Sequence, residues 1–174
     1  MTVGQTWGVS CRPVSDTSVQ PVYRRAVLGL NGSSADPLVV QLAIQLSTRD
    51  TELVALHVVE VDWRHDLDDE IPGSRELASA VLDMAEGAAE RVRMKMRTEL
   101  LQARDVGAAL VDEAVAIDAD VMLLGLSYRT RLGGDFAIGR TIPYVFQNAP
   151  CRVIVVREAV DEAGVPRRTQ EGPR

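Results

Sequence analysis

Apolar positions along this chain follow two patterns, and the alternation between them predicts the fold. Runs apolar almost throughout, residues 26–30 (AVLGL), 51–61 (TELVALHVVEV), 121–124 (VMLL) and Arg152–Arg157 (RVIVVR), read as strands covered on both faces, as in parallel sheets. Between them apolar residues recur at helical spacing: Val39, Leu42, Ala43 and Leu46; then Leu77, Val81, Met84, Ala88 and Val92; then Val106, Leu110, Ala114 and Ile117. The signal weakens over Met96–Ala103, where Leu100 and Leu101 make a third strand the economical reading. Punctuation agrees with this division. Asp36 before Pro37 suits an N-cap followed by proline in the first turn, and Pro72-Gly73-Ser74 opens the second helix. Thr141–Asn148 has room for two turns, with Pro143 tolerable only in the first, and Ala149-Pro150 stops that helix.

Five strands alternating with four helices predict an α/β fold with a five-stranded parallel sheet and helices on both faces. Residues 23–158 form this domain. Residues 1–22 lack periodicity and are expected to be a flexible extension, and 159–174, charged and proline-bearing, a disordered tail. In such sheets ligands bind beyond the carboxyl ends of the strands, where strand order reverses. That selects two loops, 31–34 and 126–140.

Composition narrows the classes of function. Of the 174 residues 46% are hydrophobic but only 4% aromatic, so the chain builds an Ala/Val/Leu core and lacks the rings on which single-stranded nucleic acid stacks. A formal charge of −6 gives no long-range attraction to a phosphate backbone. Cys11 and Cys151 make neither a disulfide framework nor a metal set, which fits a reduced cytoplasmic setting. No apolar run approaches the roughly 20 residues of a spanning helix, so direct membrane insertion is not expected.

Within the second loop, Gly125, Gly133, Gly134 and Gly139 accompany Arg129, Arg131 and Arg140 against the acid Asp135. Glycines let a backbone approach a ligand, the start of the Thr141 helix points N–H groups at it, and arginines clamp phosphate bidentately. The alternative is a surface loop with turn glycines and solvated arginines. Residues 134–141 (GDFAIGRT) approximate a P-loop with arginine for lysine, yet they do not follow their strand directly and carry packing residues, so that reading is set aside. His57, between Leu56 and Val58, reads as a satisfied strand histidine. His65 among Asp62, Asp66, Asp68, Asp69 and Glu70 lacks the spacing of a calcium or zinc site and reads as part of a solvated acidic loop. Neither a serine elbow nor a base for Cys151 is evident.

With these elements in place, residues 24–157 resemble the universal stress protein family. The carrying stretches are VLGLNGS at 27–33, LVALHVVEV at 53–61, DADVMLLGLS at 118–127, and GRTIPYVFQNAPCRVIVVRE at 139–158, the last being the most specific. The resemblance implies strand order 3-2-1-4-5, a homodimer paired through the last strand, Arg152–Arg157, and an adenine-nucleotide site. The family's nucleotide-binding pattern is a glycine, two residues, a second glycine, nine residues, then glycine with a hydroxyl residue. Gly125 and Gly139 match its first and last glycines. Tyr128 stands at the second, the loop is one residue longer, Arg140 takes the hydroxyl position with Thr141 displaced by one, and Asn31 replaces the usual aspartate. Two outcomes follow from these departures: loss of ATP binding, or replacement of the lost contacts by charge-assisted ones from Arg129, Arg131 and Arg140.

The resemblance thus implies nucleotide contacts at Asn31, Gly32, Ser33 and Val58 on one side and Gly125, Ser127, Arg129, Gly139, Arg140 and Thr141 on the other. The expected function is binding of ATP or a related adenine nucleotide, with Mg2+ accompanying it, as a stress sensor or regulator without catalysis. The alternative is a dimeric interaction domain without ligand that regulates a protein partner such as a membrane transporter. An ATP-using transferase is a third reading, without a catalytic group to support it.

Overall fold

The computed structural model describes residues 23–126, 128–129, 135–136 and 138–160. Its elements in order are β1 (Arg25–Leu30), α1 (Asp36–Leu46), β2 (Glu52–Glu60), α2 (Ser74–Arg91), β3 (Met96–Ala103), α3 (Val106–Ala116), β4 (Val121–Leu126), β5 (Tyr128–Arg129), β6 (Asp135–Phe136), α4 (Thr141–Asn148) and β7 (Arg152–Arg157). Five strands form a parallel sheet in the order β3-β2-β1-β4-β7, the expected 3-2-1-4-5, with β7 as the fifth sheet strand. The expected extension and tail, 1–22 and most of 159–174, lie outside the described residues.

Two cores flank the sheet because side chains alternate across it. Ala26, Leu28, Leu53 and Leu123 pack against Val39, Val40 and Ala43 of α1 and Val81 and Ala85 of α2. Val27, Leu56, Met122 and Leu124 face Leu110, Val111 and Ala114 of α3 and Val145 of α4. β1 is the central strand, paired with β2 on one side and β4 on the other, so the chain changes direction at the carboxyl end of β1.

Three local expectations change. α2 buries its expected stripe only in part: Val81 is buried and Met84 and Ala88 pack against the core, whereas Leu77 and, just past the helix end, Val92 are about half exposed, and Ala78, Ala85 and Ala89 complete the buried face. Small side chains bring the helix close, and the stripe drawn through the larger apolar residues leaves the buried face only at its two ends. Asp36 is not an N-cap but the first helical residue, with Ala35 before it, because its carboxylate is used on the preceding loop. The segment after β4 is not all loop: Tyr128 and Phe136 pair, as do Arg129 and Asp135, in a short antiparallel hairpin.

Candidate functional site

Beyond the carboxyl ends of β1, β2 and β4 lies a cleft of about 390 Å³. Gly29, Leu56, Leu110 and Leu124 supply apolar lining, Ser74 and Leu77 come from α2, and Gly139, Thr141 and Ile142 from the start of α4. Polar groups are contributed by Asn31, His57 and Glu60. This is the crevice where a doubly wound sheet holds its ligand.

The loop after β1 is tied from inside. Gly32 takes φ +80°, a region in which a side chain is strained, and a Cβ there would approach Leu77 Cδ1 to 2.9 Å. One oxygen of Asp36 accepts the N–H of Asn31 at 3.0 Å and that of Gly32 at 2.7 Å, while the other accepts from Ser33 Oγ at 3.3 Å. Asn31 Oδ1 in turn accepts the Ser33 N–H at 3.0 Å. These N–H groups are therefore committed to the protein. Asp36 is buried, and burial raises its carboxyl above the ordinary value of 3.8 against the lowering effect of these bonds. Gly125, across the crevice on β4, lies so close that a Cβ would meet Ala35 Cβ at 3.0 Å and Asp36 Oδ1 at 3.6 Å. Glycine is needed there for close approach.

His57, at 5% exposure, hydrogen bonds through Nδ1 to the Leu30 carbonyl at 3.0 Å. A carbonyl only accepts, so Nδ1 carries the proton, and in the neutral ring Nε2 is an acceptor. No buried side-chain nitrogen or oxygen among the described residues lacks a partner, and no bond to Nε2 is formed, so Nε2 opens to the cleft that His57 lines. The strand-histidine reading is right about its anchor and omits its outward atom.

α4 begins at the cleft without a side-chain cap; the N–H groups of Thr141 and Ile142, both lining residues, have no intrahelical partner, Pro143 has none to offer, and that of Tyr144 bonds the Arg140 carbonyl at 3.2 Å. Arg140, immediately before it, places Nη2 against Glu60 Oε1 at the end of β2. Of the expected contacts, Asn31, Val58, Gly125, Gly139 and Thr141 line the cleft, whereas Gly32, Ser33 and Arg140 are not among its lining residues, Arg140 standing at its rim through its contact with Glu60. Ser127 and Arg131 lie outside the described residues, and for Arg129 only the backbone in β5 is described. Residue-by-residue reading missed Glu60, Ser74, Leu77 and Ile142. The one available signal for Glu60 was its place at the carboxyl end of a strand beside the switch point.

The acidic loop after β2 is organised by Arg104, whose guanidinium donates to the carbonyls of Val61 at 3.2 Å, His65 at 2.7 Å and also Asp62, with its carbon 5.0 Å from the Trp63 ring centre. Among the described residues no group of three or more His, Cys, Asp or Glu side chains could hold a metal ion, and no helix is long and apolar enough to cross a membrane. Burial pushes the Cys151 thiol up, away from the thiolate form that nucleophilic chemistry needs.

Comparison with other proteins adds lineage to this geometry. A protein from the universal stress protein family from Burkholderia pseudomallei has a structure 21% identical to this chain, covering 79% of it and 98% of its own length, at a TM-score of 0.59. A universal stress protein from Archaeoglobus fulgidus in complex with dAMP is 19% identical, with 77% and 98% coverage and a TM-score of 0.56. A universal stress protein family protein from Arabidopsis thaliana with AMP bound is 12% identical, with 79% and 94% coverage and a TM-score of 0.57. Among curated proteins no sequence matches. The profile described as the universal stress protein family matches residues 22–157, so the chain belongs to that family.

Proposed function

We propose that this protein is a regulatory module that binds an adenine nucleotide in the switch-point cleft and signals by binding rather than by turnover. The observation that carries this reading is that Asn31, Val58, Gly125, Gly139 and Thr141, drawn from four separate segments, converge on one cleft. Apolar walls beside β2 suit a base, and the acceptors His57 Nε2 and Glu60 suit ligand hydroxyl or amine groups. The uncapped start of α4 suits a phosphate. Relatives of the same fold with dAMP or AMP bound support the ligand class. Mg2+ would arrive with the phosphates of ATP. The module acts as a homodimer through β7, in the reduced cytoplasm where Cys151 stays a free thiol.

The test is thermal unfolding with AMP, a cyclic nucleotide, ADP, and ATP with and without Mg2+. A ligand at 100 times its Kd adds about 2.7 kcal/mol. No shift with any of them removes the nucleotide reading.

A second reading, a dimeric interaction domain without ligand that regulates a partner such as a transporter, is favoured by one feature. Asp36 has consumed the N–H groups of the β1 loop and Glu60 holds Arg140, so part of the site's donor capacity is spent internally. Under that reading every nucleotide leaves the melting temperature unchanged.

A further inference from the structure

The ion pair between Glu60 and Arg140 joins the two walls of the cleft. Glu60 ends β2 and lines the cleft, while Gly139 and Thr141, on either side of Arg140, line it opposite. Glu60 is the one carboxylate among the described residues of that lining, and its side chain is about half exposed (49%). An anion seated at the start of α4 either takes Arg140 and leaves the Glu60 carboxylate unpaired beside it, or leaves the pair intact and forgoes the guanidinium. In both cases the nearby Glu60 charge repels the ligand more strongly as the ligand's own negative charge grows, offsetting what Arg140 offers.

We propose that Glu60 is a specificity-determining residue that competes with anionic ligands for Arg140 and biases the cleft toward ligands of low negative charge. A nucleoside cyclic monophosphate or monophosphate is accommodated, and a free triphosphate is disfavoured. The inference rests on the nucleotide reading of this cleft. It needs no new contact: in the empty site the carboxylate occupies the guanidinium, and in the filled site the ligand's phosphate does. The released carboxylate then accepts from whatever hydroxyl or amine the ligand carries nearby. An exposed ion pair is a weak latch, so the effect is a graded bias.

The experiment is titration calorimetry without divalent metal. Adenosine, cyclic AMP, AMP and ATP are titrated into the full chain, Glu60→Gln, Glu60→Ala, Arg140→Ala and the Glu60→Gln/Arg140→Ala double variant. The ratio of ATP to adenosine affinity should rise about fivefold in Glu60→Gln, with a smaller rise for AMP. Glu60→Ala should behave alike, and the rise should vanish in the double variant. A ratio unchanged or lowered in both Glu60 variants, with the full chain still binding, overturns the competitor and leaves the nucleotide reading standing. Absence of binding by every protein to every ligand overturns both. Binding that emerges only when Glu60 is replaced supports the competitor in its strongest form.

Discussion

Asp36 accepts the backbone N–H of Gly32 at 2.7 Å, and through this contact the first helix holds the loop that opens the cleft. Asp36 lies within the helix yet serves the turn before it, since the same oxygen also takes the Asn31 N–H. Replacing Asp36 with Ala leaves both donors without that acceptor. Stability should fall by about 2 kcal/mol, read from urea unfolding at neutral pH.

The pH dependence of that loss has a definite sign. Burial holds Asp36 above its ordinary 3.8, so the folded state binds its proton more tightly than the unfolded chain. The proton-linked part of its contribution is full below 3.8 and is lost as pH rises through the folded value, leaving at neutral pH the two N–H bonds that Asp36→Ala removes. The stability difference between the wild type and Asp36→Ala should therefore narrow as pH is raised from 3.8, as followed by urea midpoints at successive pH values.

Asp120 titrates in the opposite sense. It accepts the N–H groups of Arg24 at 2.7 Å and Arg25 at 2.9 Å, anchoring the start of β1. The hydrogen bonds from Arg25 and Arg24 hold its carboxyl below 3.8, so its contribution is present above that value and lost as pH falls through the folded one. Asp120→Ala should be less stable at neutral pH by about 1 kcal/mol, and the two proteins should converge in acid.

Gly125→Ala tests the close approach of β4 to α1. The new Cβ meets Ala35 Cβ at 3.0 Å, a contact between two short side chains that leaves only backbone movement for relief. Destabilisation of about 1–3 kcal/mol is expected. Because Gly125 also lines the cleft, nucleotide affinity should fall as well, measured by the thermal-shift assay.

Light scattering after size exclusion tests the proposed β7 pairing. At micromolar concentration the mass should be twice the 19.0 kDa of one chain, and a single-chain mass would remove that dimer.

Much of this architecture was legible in the sequence. Unbroken apolar runs and helical spacing identified each strand of the sheet and each helix, even over Met96–Ala103, where the edge position thins the apolar signal. The α2 face was read only in part, through Val81, Met84 and Ala88, because Ala78, Ala85 and Ala89 carry little hydrophobic weight individually yet set the packing distance. In the site, glycines and backbone positions were legible because turn geometry leaves a local trace. The Glu60–Arg140 pair was not: its members are 80 residues apart, and only the closing of the sheet brings them together. His57 showed the same limit, since the Leu30 carbonyl that fixes its proton lies 27 residues earlier on the neighbouring strand.

The two borders of the sheet differ in a way that bears on how far assembly can proceed. On β3, Arg97 pairs with Glu99 in the same strand and with Glu113 of α3 at 3.0 Å. Charges along a border discourage another strand from annealing there. β7 instead presents Val153, Ile154, Val155 and Val156, partly uncovered, between two terminal arginines. Under the proposed pairing each copy would have a valency of one, and joining through β7 would consume it. In the proposed β7 dimer, growth would stop at a closed pair whose outer borders are both β3, and the pairing that builds it would not propagate into a fibre.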